Sequence, residues 1–221
     1  MRTRSGSVAR PFVAPLRRER GIALLTALVL MLAVLMTGMA STRGALQDAR
    51  AAIHERDRAL ALQMAHAGLV DAERDIEGGT SAASGRRAAL AHAKPDAFAA
   101  DCRGGTPYNG LCAQHANAAQ LAATLAADDG PAVAFGRFTD QRLALGAPGL
   151  PRAAPRYLIE SLPPQDDALL YRITARGAGS MAGTHAALQA YYLKPSDGGP
   201  GRRIGWRELG NWGEVVAAAN H

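Results

Sequence analysis

Residues Arg20 to Glu77 read RGIALLTALVLMLAVLMTGMASTRGALQDARAAIHERDRALALQMAHAGLVDAERDIE, and the rest of the chain is best understood outward from them. Ile22 to Ala40 is apolar, with no charge before Arg43. As a helix this part is roughly 28 Å long at about 1.5 Å per residue, close to the ~30 Å of a bilayer's hydrocarbon. Arg17, Arg18 and Arg20 stand just before it, and by the positive-inside rule they mark the cytoplasmic end. Ser41 to Glu77 holds no proline, and its only glycines are Gly44 and Gly68. The remainder is dense in Ala, Leu, Arg, Gln, Glu and Met, all strong helix formers, and Gly78-Gly79 supplies a stop. Residues 22–77 are therefore expected to form a single rod of roughly 84 Å.

The solvent half of this rod carries two apolar stripes. At about 100° per residue, Leu46, Ala49, Ile53, Leu60 and Met64 share one narrow sector. Leu62, Leu69 and Ile76, with Ala65 and Ala72, share a nearly opposite one. One stripe suffices to pack a helix on its own domain, so two imply a second partner such as a neighbouring subunit. A dimeric coiled coil fits the spacings 46–53–60 and 62–69–76 as well.

Charge narrows the class further. The chain of 221 residues has a formal charge of +6. Met1 to Gly21 carries six arginines against Glu19, a net +5, which leaves +1 for everything after it. The body is nearly neutral, with no basic patch interleaved with aromatics, which argues against nucleic-acid binding.

Residues 78–221 are expected to form one globular domain. Arg86–His92 and Ala113–Ala127 read as short helices. Three alternating runs, Arg156–Leu162, Ala168–Ala175 and His185–Leu193, read as strands. Pro163-Pro164-Gln165-Asp166-Asp167 and Gly177-Ala178-Gly179-Ser180 read as the turns between them. This predicts an antiparallel meander packed on the long helix, with Arg203–Trp206 as a short edge strand after the joint SDGGPG. The fold class is α+β.

Cys102 and Cys112 are the only cysteines. In an oxidising compartment they read as one local disulfide, worth roughly 2.5–3 kcal/mol in the chain-entropy account; a redox or metal pair would call for CxxC spacing. His54, His66, His92, His115, His185 and His221 are scattered without metal-binding spacing. Asp166-Asp167 and Asp197-Gly198-Gly199 fall short of a calcium loop. No nucleophile elbow or phosphate loop is present, and Ser161 and Ser180 have no evident catalytic partner. Trp206 and Trp212 read as core plugs rather than ligand stackers, though an exposed tryptophan there would mark a protein-binding patch. No catalytic residue, metal ligand or cofactor is expected.

Arg20-Gly21-Ile22-Ala23-Leu24-Leu25 resembles a type III prepilin signal, which is cut after the glycine on the cytoplasmic side. A secretory cut after Ala40 and an uncleaved anchor are the competing schemes. The wider stretch Arg20–Glu77 resembles the N-terminal region of PilX-type type IV pilus assembly proteins, in which an apolar helix runs into the pattern x-RDRALAxQxAxAGLxDAE. Arg56 to Glu73 follow it closely, with Gly68 on its glycine. YRITARGAG (Tyr171–Gly179), LQAYYLKP (Leu188–Pro195) and RRIGWREL (Arg202–Leu209) are similar too, whereas residues 80–152, apart from the cysteine pair, are only loosely so.

The resemblance implies a pilin-like fold with residues 1–21 as a cytoplasmic leader, and a minor pilin at the inner membrane with its domain in the periplasm. It also implies prepilin peptidase cleavage between Gly21 and Ile22, methylation of Ile22, and other minor pilins and a tip adhesin as partners. Most pilins have Glu at the fifth mature position, where it pairs with a neighbour's N-terminal amine. Here that position is Thr26. An unpaired carboxylate in hydrocarbon costs several kcal/mol, so its absence suits a subunit with no neighbour before it, at the fibre tip. Alternatively Thr26 is a hydroxyl bonded back to its own helix. A type II secretion pseudopilin and a membrane-tethered periplasmic binding protein are the alternative functions.

Overall fold

A computed structural model describes residues 20–80, 84–114 and 118–219. The expected leader, apart from Arg20 and Gly21, lies outside them, as do His115 and His221. The chain forms two compact units, one up to Ala51 and one from Ala52. Helix α1 spans Arg20–Ile76, bounded by Gly78 and Gly79 at positive φ. Gly78 N donates to Asp75 O and Gly79 N to Arg74 O, so the glycines satisfy carbonyls of the last turn.

In the first unit α1 carries the apolar run. From Gly21 to Ala51 none of its residues is buried, and its most apolar 18-residue window has a mean hydropathy of 2.5, long and apolar enough to cross a membrane.

The second unit holds α1 from Ala52 onward, then α2 (Ser84–His92), a 3-10 turn at Pro95–Ala97, β1 (Leu111–Ala113), α3 (Ala118–Ala126) and β2 (Val133–Ala134). The long strands β3 (Arg156–Gln165), β4 (Ala168–Ala178) and β5 (His185–Pro195) follow, then β6 (Arg202–Glu208) and α4 (Trp212–Ala219). Strands β3 to β6 form the expected antiparallel meander. To the free side of β3 are added β1, parallel, and β2, antiparallel, which make the sheet mixed.

Several expectations are corrected in detail. Ala113 ends a strand instead of starting a helix, and α3 begins later, at Ala118. Pro163, Pro164 and Gln165 belong to β3 and not to the turn; proline cannot donate to the ladder, and the register shifts between Leu162 and Gln165 as a bulge would. Gly177 and Ala178 belong to β4. Trp212 is a core plug as read, but Trp206 is 53% exposed, set edge-on against His66 with ring centroids 4.7 Å apart.

Alternation along the strands sends side chains to two faces. Tyr157, Ile159, Tyr171, Ile173, Ala175, Leu188, Ala190 and Tyr192 meet Ala65, Leu69, Ala72 and Ile76 of α1 in the main core. On the other face Leu158 and Ala187 meet Leu121, Ala122 and Leu125 of α3, Trp212 of α4, and the bonded pair Cys102–Cys112. The disulfide thus pins the loop before β1 beneath that second layer.

Candidate functional site

Of the two stripes on α1, the one at Ala65, Leu69, Ala72 and Ile76 is fully buried in the chain's own core. Its counterpart is not: Leu46 and Ile53 are 58% and 57% exposed, and Leu60 and Met64 are half-buried. Continuing the exposed apolar surface N-terminally, Ile22, Leu24, Leu25, Leu28 and Val29 have no cover among the described residues. Each large apolar side chain left in water forgoes about 1.5–3 kcal/mol, so a surface of this extent calls for a lipid or protein environment.

The polar groups within the apolar run are satisfied locally. Thr26 Oγ1 donates to Ala23 O at 3.0 Å, Thr37 Oγ1 to Val34 O at 2.9 Å, and Thr42 Oγ1 to Gly38 O at 2.9 Å. Thr26 therefore bonds back to its own helix and brings no charge to the segment. Gly21 and Ile22 lie in the first turn of α1, with Ile22 58% exposed.

The second half of α1 is held to the sheet by close backbone approach. A Cβ on Gly68 would sit 3.2 Å from Ala175 Cβ, and one on Gly177 would fall under 3.0 Å from Ala61 O and Ala65 N. Glycine is required at Gly177 because strand and helix nearly touch there. A Cβ on Gly179 would strike the Asp57 carboxylate.

Acidic residues on α1 complete the junction. Asp57 Oδ1 accepts from Ser180 N at 2.6 Å and Ser180 Oγ at 2.7 Å, and Met181 N lies 3.3 Å away. Burial alone raises the Asp57 carboxyl's pKa, but hydrogen bonds from Thr184, Ser180 and Met181 outweigh it and bring it down to about 2. Asp71 accepts from Gly136 N at 2.8 Å and from the Thr139 hydroxyl, yet desolvation dominates and its pKa is raised. Asp75 is fully enclosed. Arg86 Nε lies 2.9 Å from both its oxygens, Arg86 Nη2 2.8 Å from Oδ2, and Tyr157 OH donates to Oδ2 at 2.9 Å. Arg86 Nη1 donates to Pro107 O and Asn109 O, both at 2.8 Å, and its guanidinium lies 4.1 Å from the Phe138 ring centre. This buried pair ties α1, α2 and the loop before β1 together.

At the helix's end Glu77 meets Lys194 at 3.1 Å, Tyr192 OH at 2.9 Å and Gly201 N at 3.1 Å. Burial pushes its pKa up, but these donors prevail and lower it. Glu73 meets Arg203 at 2.6 Å, and Arg58 meets Glu208 at 2.6 Å. Strand β6 is thereby laced to α1 along its length. Nothing in the sequence distinguished Arg86 from its exposed neighbour Arg87, or Asp57 from Asp48, and the junction had no sequence signal beyond the motif in which it is embedded. Among the described residues no group of three or more His, Cys, Asp and Glu could hold a metal ion. Of the histidines, His66 lies against Trp206 and His185 Nε2 lies 2.8 Å from Arg176 Nη2.

Residues 108–194 match the family model of the type IV pilus assembly protein PilX, C-terminal part. The match runs from Tyr108 through most of β5 and leaves out α1, α2, β6 and α4. It begins inside the part of the chain that reads as only loosely similar to PilX proteins. No curated protein and no solved structure matches this chain. The PilX match supports a role in type IV pilus assembly, and the apolar helix ahead of it suggests a membrane anchor.

Proposed function

We propose that the chain is a non-catalytic minor pilin that helps prime and assemble type IV pili at the inner membrane. The observation that carries this reading is the pairing of a PilX-type domain with an apolar helix whose surface is uncovered among the described residues. In this account residues 1–21 are a cytoplasmic leader, prepilin peptidase cuts between Gly21 and Ile22, and Ile22 is methylated. Ile22–Ala40 then holds the subunit in the bilayer with its domain in the periplasm. The stripe at Leu46, Ile53, Leu60 and Met64, exposed at its first two positions and half-buried at its last two, faces sister subunits, other minor pilins and a tip adhesin.

Thr26 belongs to the same proposal. It has no carboxylate to pair with the amine of a neighbour, and its hydroxyl proton is donated to Ala23 O. A subunit of this kind fits at the tip, where no subunit precedes it.

Mass spectrometry of the mature N-terminus is the direct test. N-methylated Ile22 is the expected result, while a chain beginning at Ser41 or retaining Met1 overturns the proposal. For the tip, Thr26→Glu is expected to impair pilus initiation. Unchanged initiation, with the subunit spread along the whole shaft, would end that part of the account.

A further inference from the structure

Beside the helix–sheet junction, on the opposite face of the sheet, lies a cavity of about 380 Å³ walled by Arg152, Arg156, Arg176 and His185, with Asp128 its one acidic residue. Arg156 and Arg176 are direct cross-strand partners of β3 and β4, a pairing of like charges that is unfavourable by itself. Part of their work is structural. Arg156 Nη1 donates to Ala127 O at 2.6 Å and its Nη2 to Asp128 O, while Arg176 Nη1 donates to Ala126 O at 3.0 Å, so the two cap the C-terminal carbonyls of α3.

Capping satisfies hydrogen bonds but leaves the charge. Carbonyls are neutral, and among the described residues none of the three arginines forms a salt bridge. Arg176 Nε is buried with no hydrogen-bond partner, and its Nη2 is turned to His185 Nε2, which can accept only as the neutral ring. Arg152 is exposed at the mouth. The remaining wall is made of alanines, two glycines and Met181. Three guanidinium groups beside an apolar shelf are suited to a planar anion carried on a short aliphatic stem.

The geometry points to a carboxylate-binding site that takes an acidic peptide segment of a partner protein. Guanidinium forks recognise carboxylates in pairs, and the shelf accommodates the methylenes of a glutamate. That the partner belongs to the same fibre rests on the assembly role proposed above; the site itself does not.

The test uses the full chain in detergent micelles and a short blocked peptide with two adjacent glutamates, titrated calorimetrically beside its glutamine counterpart. The glutamate peptide is expected to bind at least about tenfold more tightly. Arg152→Glu is expected to weaken it by about tenfold or more, whereas Arg142→Glu, at an exposed position outside the cavity, changes it less than about twofold. Equal binding of the two peptides, or equal loss in both variants, overturns the site. Inorganic phosphate binding as tightly as the glutamate peptide would make this a free-anion site and overturn the peptide assignment. Thermal melting of Arg152→Glu controls for folding. Since binding is read on the purified chain, its failure leaves the mature N-terminus and the pilin reading to be judged separately.

Discussion

From Gly21 to Arg56, α1 has no buried residue; from Asp57 to Ile76 it presses Ala61, Ala65, Gly68, Leu69, Ala72 and Ile76 into the sheet. One continuous helical pattern thus meets two different demands. The apolar run at the head of the first part is uncovered among the described residues, and it keeps large apolar side chains and threonines whose hydroxyls its own carbonyls satisfy. The second part must approach a sheet closely, so it uses small residues at the contact and commits its acids to fixed partners. Stability of the folded domain should therefore respond steeply to substitution in the second part and hardly at all in the first.

The largest expected effect is at Arg86. Arg86→Ala leaves Asp75 buried without its cation and strips Pro107 O and Asn109 O of their donor. Breaking one side of a buried pair costs about 3–5 kcal/mol. Urea unfolding of the full chain in micelles should show that loss, while Arg87→Ala, whose Nε reaches only Gly78 O at an exposed position, should lose under about 1 kcal/mol. Equal losses would mean the enclosed pair does not distinguish this junction.

Next in size is the close approach itself. Gly177→Ala forces strand and helix apart and should cost about 1–3 kcal/mol, as overpacking does elsewhere. Gly205→Ala in β6, where an added Cβ meets nothing within 4 Å, is the matched control and should be close to neutral. Shifts of the melting temperature for the two variants, measured side by side, decide the point.

How much of this was legible beforehand follows the same division. The long helix, its stop at Gly78-Gly79 and the strands from Arg156, Ala168 and His185 were readable because each carries many repeats of its period. β1 and β2 were not, since three and two residues contain no period to read. The second face of the sheet was hidden for another reason. Glu160, Arg172, Thr174 and Gln189 occupy its alternate positions, where polar residues ordinarily mark a solvated face, yet α3 and α4 pack on that side, and Arg172 meets Glu160 at 2.6 Å in direct cross-strand register. Polarity marked the outside of a strand but not the outside of the molecule. The Arg86–Asp75 pair was unreadable because burial of a charge depends on partners brought together only by the fold.

A smaller effect is expected at Asp57, and it carries a pH signature. Its pKa in the folded chain, about 2, lies below the ordinary 3.8, so the ionised form is favoured by folding. Its contribution is fully present above the unfolded value and is lost as pH falls from about 4 towards 2. Asp57→Asn should flatten that acid limb, so the stability gap between wild type and variant narrows as pH drops from about 5 to about 2.5. The opposite slope belongs to Asp71, whose raised pKa makes its ionisation a cost as pH climbs past the ordinary value. If the gap between wild type and the Asp57→Asn variant stays constant with pH, the loop Gly179–Thr184 is held by shape and not by the charge.

The smallest effect should come from the apolar half. Thr37 Oγ1 bonds only to Ala33 O and Val34 O of its own helix, so Thr37→Ala removes no contact with the second unit. Backbone carbonyls already bonded within the helix lose a second donor and nothing else, and alanine is the better helix former by a few tenths of a kcal/mol. Unfolding of the domain in micelles should therefore move by less than about 0.5 kcal/mol, within the range of surface substitutions. A shift as large as that of Gly177→Ala would mean that the apolar half supports the domain directly, and the division drawn along α1 would have to be abandoned.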